Sequence, residues 1–384
     1  MPADARLHAA LTLGVSHSVL VVHAVRGQES VSRPFRYEID VAARSIDLDA
    51  IRCAAAHLTL TDDLGAERHF DGLIEEALVA ALDGDSVDPT TRYRLVIMPA
   101  AAQLRWRHGY KIFQQKSVPD IVKQVLRDGG LPDDLFRWSL ARSYSPREYC
   151  VQYDESEWDF IHRLLEEEGI WYAFEHTEES HVMCFNDASD NAPRMSPGQL
   201  TFSYDPALHG TASKIWHWRA RAAASVQKSA VTDYDTLHPS RDLAAMSQAT
   251  DPVQREWYEY PARGVDVATS RRRALDHLDE LRAERDTAQA TTNALGVAPG
   301  RWFSVEEHPS GDQEWFVTSV EAEIRVERDT GEGMLTERGD PACLFRVRMM
   351  PRAQLHRPAR RTPRPRVYGL QTARVTGPSG QEIY

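Results

Sequence analysis

Several groupings in this 384-residue chain have residue types and spacings that chemistry could use. Gly84-Asp85-Ser86 has the order in which a serine nucleophile can follow a strand and begin a helix. Val87-Asp88-Pro89 comes next, however, and the proline disfavours a regular helix there, so a turn is the simpler reading. Gly377-Pro378-Ser379-Gly380 is one residue short of a G-x-S-x-G elbow, and Pro378 changes the turn. His162 and Glu166 stand one helical turn apart and could reach one metal ion. Two ligands are too few, and a salt bridge or solvated pair explains the spacing as well. Glu306, Glu307 and His308 are adjacent before Pro309, where strand alternation would aim neighbours at opposite faces. Asp187, Asp190 and Asn191 suggest a calcium loop but lack its glycine and bidentate glutamate. There is no H-E-x-x-H, P-loop or dinucleotide fingerprint. The expectation is a protein with no active site, no metal and no cofactor.

Aromatic residues add a weaker candidate. Trp106 lies between Arg105 and Arg107, the local pattern of a surface that stacks bases or sugars. Trp216 and Trp218 alternate around His217, which places both on one strand face, as core residues more than as a stacking platform. The formal charge of −12 argues against nucleic acid as a partner. It is also uneven. Pro341 to Gln381 contains no acid, but holds Arg346, Arg348, Arg352, Arg357, Arg360, Arg361, Arg364, Arg366 and Arg374. Pro358, Pro363 and Pro365 interrupt this run and keep it extended. It reads as a stiff solvated linker or as a basic strap across acidic neighbouring surface. Cys53, Cys150, Cys184 and Cys343 form no C-x-x-C pair, which fits a reducing compartment. The apolar stretch Leu7 to Val25 lacks the basic start of a signal peptide, and Ser18 to Val25 reads as a buried strand ended by Gly27. No run reaches the ~18 apolar residues of a membrane helix, so no membrane anchor is expected.

The elements that must position these residues are legible in pieces. Phe35, Tyr37, Ile39 and Val41 alternate with Arg36, Glu38 and Asp40, the period of a half-buried strand. His57 to Thr61, His69 to Val79 and Arg92 to Met98 continue in that style, so residues 1–100 read as an antiparallel sheet able to close as a small barrel. Ser117 and Asp120 cap a helix whose inner face is Ile121, Val122, Val125 and Leu126, and Gly129-Gly130 stop it. Ser156 and Asp159 cap a second helix carrying Trp158, Phe160, Ile161, Leu164 and Leu165, which Gly169 ends. Glu166, Glu167 and Glu168 fill its last turn. There the macrodipole is negative and each acid costs about 0.3–1 kcal/mol. Either they form a solvated face, or they are interface residues that meet basic groups of a neighbouring domain or subunit. Ala268 to Ala290 is the longest helical pattern. Arg301 to Glu306, Trp315 to Val326 and Leu344 to Met349 supply further strands.

The segment EYCVQYDESEWDFIHRLLEEEGIWYAFEH (Glu148 to His176) resembles the signature region of VgrG proteins, the spike proteins of bacterial type VI secretion, and more distantly the hubs of contractile phage tails. RPFRYEIDV (Arg33 to Val41), KIFQQKSVPDIVKQVL (Lys111 to Leu126), DYD (Asp233 to Asp235), YEYPARG (Tyr258 to Gly264), PGRWFSVEEHP (Pro299 to Pro309) and PRVYGLQTARVTGPSGQEIY (Pro365 to Tyr384) follow the same family in order.

The resemblance implies an α+β, predominantly antiparallel β fold with two similar β-barrels and an interposed α+β domain. The expected layout is a first barrel over 1–100, the interposed region over 101–200 and 241–292, and the second barrel over 201–240 and 293–352. A basic Pro-rich linker over 353–384 would open an oligonucleotide/oligosaccharide-fold domain. It further implies a homotrimer whose six barrels seat on the hexameric tube of the Hcp protein. A PAAR tip protein and effectors would attach through a part beyond Tyr384. Assembly would occur in the bacterial cytoplasm, followed by secretion or injection into a target cell. Because the chain ends inside that opening motif, no catalytic extension and only weak trimerisation are expected. The alternatives are a phage or pyocin tail hub, a hydrolase or cell-wall-degrading effector, and a carbohydrate-binding β-barrel module.

Overall fold

The computed structural model describes residues 7–14, 20–63, 65–82, 91–204, 213–250, 255–264, 266–326, 343–370 and 372. Gly84-Asp85-Ser86, Gly377 to Gly380 and most of Pro365 to Tyr384 lie outside them.

The first block contains six strands: β1 (Leu7–Leu13), β2 (Val21–Ser30), β3 (Arg36–Ala43), β4 (Ala55–Asp62), β5 (Glu67–Leu82) and β6 (Thr91–Met98). They pair in the order β1-β4-β5-β6-β3-β2, antiparallel throughout. The alternation in β3 is the one its sequence demands. Tyr37, Ile39 and Val41 are buried while Arg36, Glu38 and Asp40 are only partly covered.

An α+β region follows: β7 (His108–Lys116), α1 (Val118–Asp128), β8 (Phe136–Ser139), β9 (Arg147–Ser156), α2 (Glu157–Glu168), β10 (Trp171–His176) and β11 (His181–Asn186). Both helix starts are local in origin. The Ser117 hydroxyl accepts from the Asp120 N–H at 3.4 Å, and the Ser156 hydroxyl from the Asp159 N–H at 3.0 Å. α2 stops at Gly169, whose φ is 68°, a left-handed conformation that glycine adopts without cost. A side chain there would also meet Cδ of Arg357 at 3.0 Å.

The remaining strands are β12 (Arg194–Phe202), β13 (Lys214–Ala222), β14 (Lys228–Val231), β15 (Ala245–Gln248), β16 (Glu256–Glu259), β17 (Asp286–Thr292), β18 (Trp302–Glu306), β19 (Gln313–Arg325) and β20 (Cys343–Pro351). The helix α3 (Val267–Arg282) precedes β17. The order β19-β18-β12-β13-β17-β20 returns to β19, closing a six-stranded barrel.

β19 is shared between the blocks. One edge pairs with β20 along most of its length. On the other, Gln313 to Phe316 pair with β18, while Ser319 to Arg325 pair with β2. The first block therefore continues into the barrel through one long strand, and its apolar residues (Val25, Phe35, Ile39, Leu58, Phe70) share a core with Phe303, Val317, Phe345 and Met349.

Three expected boundaries move. Residues 286–292 were expected in the interposed region, as the tail of a helix running to Ala290, but they form β17 and complete the barrel. Alanine favours helices, yet Ala288 and Ala290 are the inward residues of a strand, small enough to sit against Val347 and Met349. β12 is likewise a barrel strand, although 101–200 was expected to be interposed. Conversely β14, expected in the second barrel, pairs with β15 and β16 in a small sheet covered by α3.

Candidate interaction sites: two buried ionic junctions

The three acids at the end of α2 are neither a solvated face nor unpartnered. Glu167 and Glu168 are 8% and 6% exposed. Arg147, which opens β9, donates to Glu167 at 3.0 Å and to Glu168 at 2.7 Å. Glu168 also takes Arg272 at 2.7 Å and Arg273 at 3.4 Å from α3. Glu167 takes Arg263 and Arg364, both at 3.3 Å. Burial alone would raise both carboxyl pKa values. The surrounding guanidiniums outweigh it and hold them below the ordinary range. Glu166 differs: it accepts from the backbone N–H groups of Arg361 and Thr362 and from the Thr362 hydroxyl at 2.9–3.1 Å. With no arginine side chain on it, burial wins and its pKa is raised.

The basic run after β20 is thus a strap laid over α2 and α3. Arg357, 2% exposed, lies 3.2 Å from Asp276 and donates to the carbonyls of Gly169 and Asp187. Arg360 bridges Glu280 at 2.7 Å and Glu259 at 2.8 Å. The void left among these groups measures about 10 Å³, room for at most one water.

A second junction lies between the first block, the α+β region and the barrel. Arg68 of β5 donates to Glu29 of β2 at 2.9 Å and to the carbonyls of Leu295 and Val297, at 3.3 and 2.6 Å. The Tyr37 hydroxyl donates to the same Glu29, and burial drives its pKa far above the usual phenol range. Nearby, His181 Nδ1 sits 2.6 Å from Asp71. A His–Asp pair is what a hydrolase would use to activate a nucleophile. Here Nε2, the nitrogen that would take the proton, accepts the Ala100 N–H at 2.9 Å. The pair fastens β11 to β5 and has no free base nitrogen.

The other candidates separate. His162 Nε2 is 2.8 Å from the Tyr172 hydroxyl, with its pKa pushed down to about 3 by burial, while Glu166 faces the strap. Asp187 accepts from the N–H groups of Ala141 and Arg142 and from the Tyr144 hydroxyl, shaping a loop and not a calcium site. Glu307 is left-handed at φ 59° and His308 Nδ1 accepts the Ser310 N–H, so these form a turn. Trp216 is 2% exposed. Simple alternation with Trp218 fails because the ladder shifts register between Trp216 and Arg219, yet Trp218 still packs on Trp315 at 5.0 Å. Trp106 is 77% exposed with the Arg105 guanidinium 5.2 Å from its ring. No sequence signal marked Arg68, Arg147, Arg263, Arg272 or Arg273. Their partners lie from 20 to more than 200 residues away.

Residues 28–327 match the profile of the phage tail baseplate hub (GPD) family. The type VI secretion system spike protein VgrG4b of Pseudomonas aeruginosa is 32% identical over all of this chain and 48% of its own length. The chain spans about half the length of the curated relatives it matches. Among solved structures, an E. coli component of the type VI secretion system, described as similar to T4 bacteriophage tail proteins, aligns at TM-score 0.69 and 20% identity. That alignment covers 94% of this chain and 82% of that one. A Neisseria meningitidis tail protein aligns at 0.63 and 12%, over 90% and 96%. At these identities the two structures speak for the fold.

Proposed function

We propose a mechanical role for this chain, which belongs to the phage tail baseplate hub family: the hub part of a type VI secretion spike. Three copies would form a ring that seats on the hexameric Hcp tube. A PAAR tip protein and effectors would be carried through a part beyond residue 384. The assembled spike would leave the cytoplasm by secretion or injection. Among the described residues no helix is long and apolar enough to cross a membrane.

The observation that carries this reading is the sharing of β19. A single strand hydrogen-bonded to both blocks gives a stiff two-module unit, and stiffness is what a part that transmits thrust between a tube and a tip must have. The chemistry agrees. The pair most like a catalytic dyad, His181 and Asp71, is tied to a backbone amide. Specific assembly of rigid modules draws on large complementary surfaces and not on an open cleft.

Light scattering across a concentration series, followed by electron microscopy of the chain mixed with Hcp rings, tests it. Threefold rings capping tubes are expected. A monomer at every concentration that ignores Hcp would end the reading. A contractile phage or pyocin tail hub is the second reading, favoured by the Neisseria tail protein's fold likeness. Preference for a phage tube protein over Hcp in the same assay would select it.

A further inference from the structure

A groove of about 660 Å³ crosses the long sheet where β13, β17, β20, β19 and β2 run side by side. That volume falls within the roughly 300–1,000 Å³ of ligand sites. Cross-strand register sets its floor. One row reads Glu321, Arg346 and Thr291; the next reads Ser30, Ser319, Arg348, Gln289 and Arg219. In the first row the charges cancel, since Arg346 stands 3.9 Å from Glu321 and 3.3 Å from Glu323. In the second they do not. Arg348 has a serine on one side and an amide on the other. Among the described residues neither its guanidinium nor that of Arg219 meets a carboxylate. Like charges gathered on one sheet face destabilise it, and the first row shows the neutral arrangement in the same strands.

A separate feature of the backbone serves the same groove. The register of β13 with β17 slips between Trp216 and Arg219, and His217 within the slip is left-handed at φ 51°. A bulge of this kind breaks the alternation of faces and re-aims side chains. His217, Trp218 and Arg219, three successive residues, accordingly all line the groove. Trp218 turns its ring to Trp315 at 5.0 Å and His308 at 4.6 Å, so it is no platform for stacking a sugar or a base. The recognition offered is cationic, with amides and hydroxyls around it.

We propose that this groove binds an extended acidic polypeptide segment of a partner protein, with Arg219 and Arg348 holding its carboxylates. A guanidinium matches a carboxylate in a two-pronged pair. The two arginines lie two strand spacings apart, ~10 Å at the backbone. Side chains of that length reach inward to the ~6.6 Å between alternate side chains of an extended peptide. Gln289 between them offers an amide to the peptide backbone. The formal charge of −12 on the whole chain sets a polyanion such as nucleic acid at a disadvantage against a short acidic segment. The proposal does not rest on the hub reading, because all five strands belong to one chain.

The test is fluorescence anisotropy of a labelled peptide alternating Glu and Ser, titrated with the whole chain at low salt. Binding is expected, weakening as salt is raised and absent for the Lys-Ser counterpart. Arg219→Gln and Arg348→Gln should each weaken it about threefold, and the double variant about tenfold, with melting temperatures unchanged. Arg325→Gln, exposed and outside the groove, should leave it as in the parent. Hydrogen exchange of the parent with peptide bound should slow in β13, β17 and β20. No binding, a double variant that binds like the parent, or protection confined to other strands would overturn the proposal. So would single-stranded DNA of equal charge binding more tightly than the peptide.

Discussion

The two ionic junctions use the same chemistry to opposite ends. At the Arg68 junction, Arg68 and Glu29 are 9% and 3% exposed, and one guanidinium faces one carboxylate. At the junction ending α2, Glu166 to Glu168 face at least five arginine side chains or strap amides, several of them part-exposed. A sparse, dry network fixes one geometry and fails when a member is lost. A dense, half-wet one tolerates losses, weakens with salt, and can hold a strap that docks after the rest has folded. Stability of the pair is therefore not read from the number of ion pairs.

The largest expected effect comes from Arg68→Ala, which leaves buried Glu29 without its guanidinium and with the Tyr37 hydroxyl as its hydrogen-bond donor. Urea unfolding should show a loss of about 3–5 kcal/mol; a loss no larger than that at the strap would erase the contrast. Glu168→Ala should cost less, about 2–3 kcal/mol, because Arg272 can turn to water while Arg147 keeps Glu167. Acid sharpens the picture further. Burial pushes His277 and His356 down to about 4. A histidine depressed in the folded state contributes stability that is present above its unfolded pKa and lost as pH falls. The melting temperature should therefore drop between about pH 6.5 and pH 4. Asp279, raised to about 6, works the other way, its contribution lost as pH rises from about 4 to about 6. His356→Phe tests the balance. Both ring nitrogens lack partners between Trp171 and Phe316, so this variant should flatten the acid limb without loss at pH 7. An unchanged limb would move the titration elsewhere. The smallest effect belongs to Arg361→Ala. Its pair with Glu284 is 57% and 63% exposed, and melting at low salt should change by less than about 1 kcal/mol.

How much was legible divides along the range of the forces. The caps at Ser117 and Ser156, the stop at Gly169 and the alternation of β3 each involve residues within four positions of one another, and they stand where the sequence placed them. The acids ending α2 stand where a helix C-terminus repels them, and the sequence alone is consistent with either a solvated face or cationic partners. The acid-free run after β20 is likewise consistent with either a solvated linker or a basic strap. The residues from Glu157 to Glu168 could not say that Arg147, Arg272 and Arg364 would be the partners.

The sequence by itself determined strand and helix wherever burial follows a local period, and it determined a charge imbalance that had to be resolved. Only the tertiary structure decided that β17 is a strand, because Ala288 and Ala290 gain more from fitting against Val347 and Met349 than from their own helical preference. It alone decided that β19 serves two sheets and that Arg68 reaches carbonyls more than two hundred residues away. Pairing edges and buried charges are settled by which surfaces leave water together, and no window along the chain contains that information.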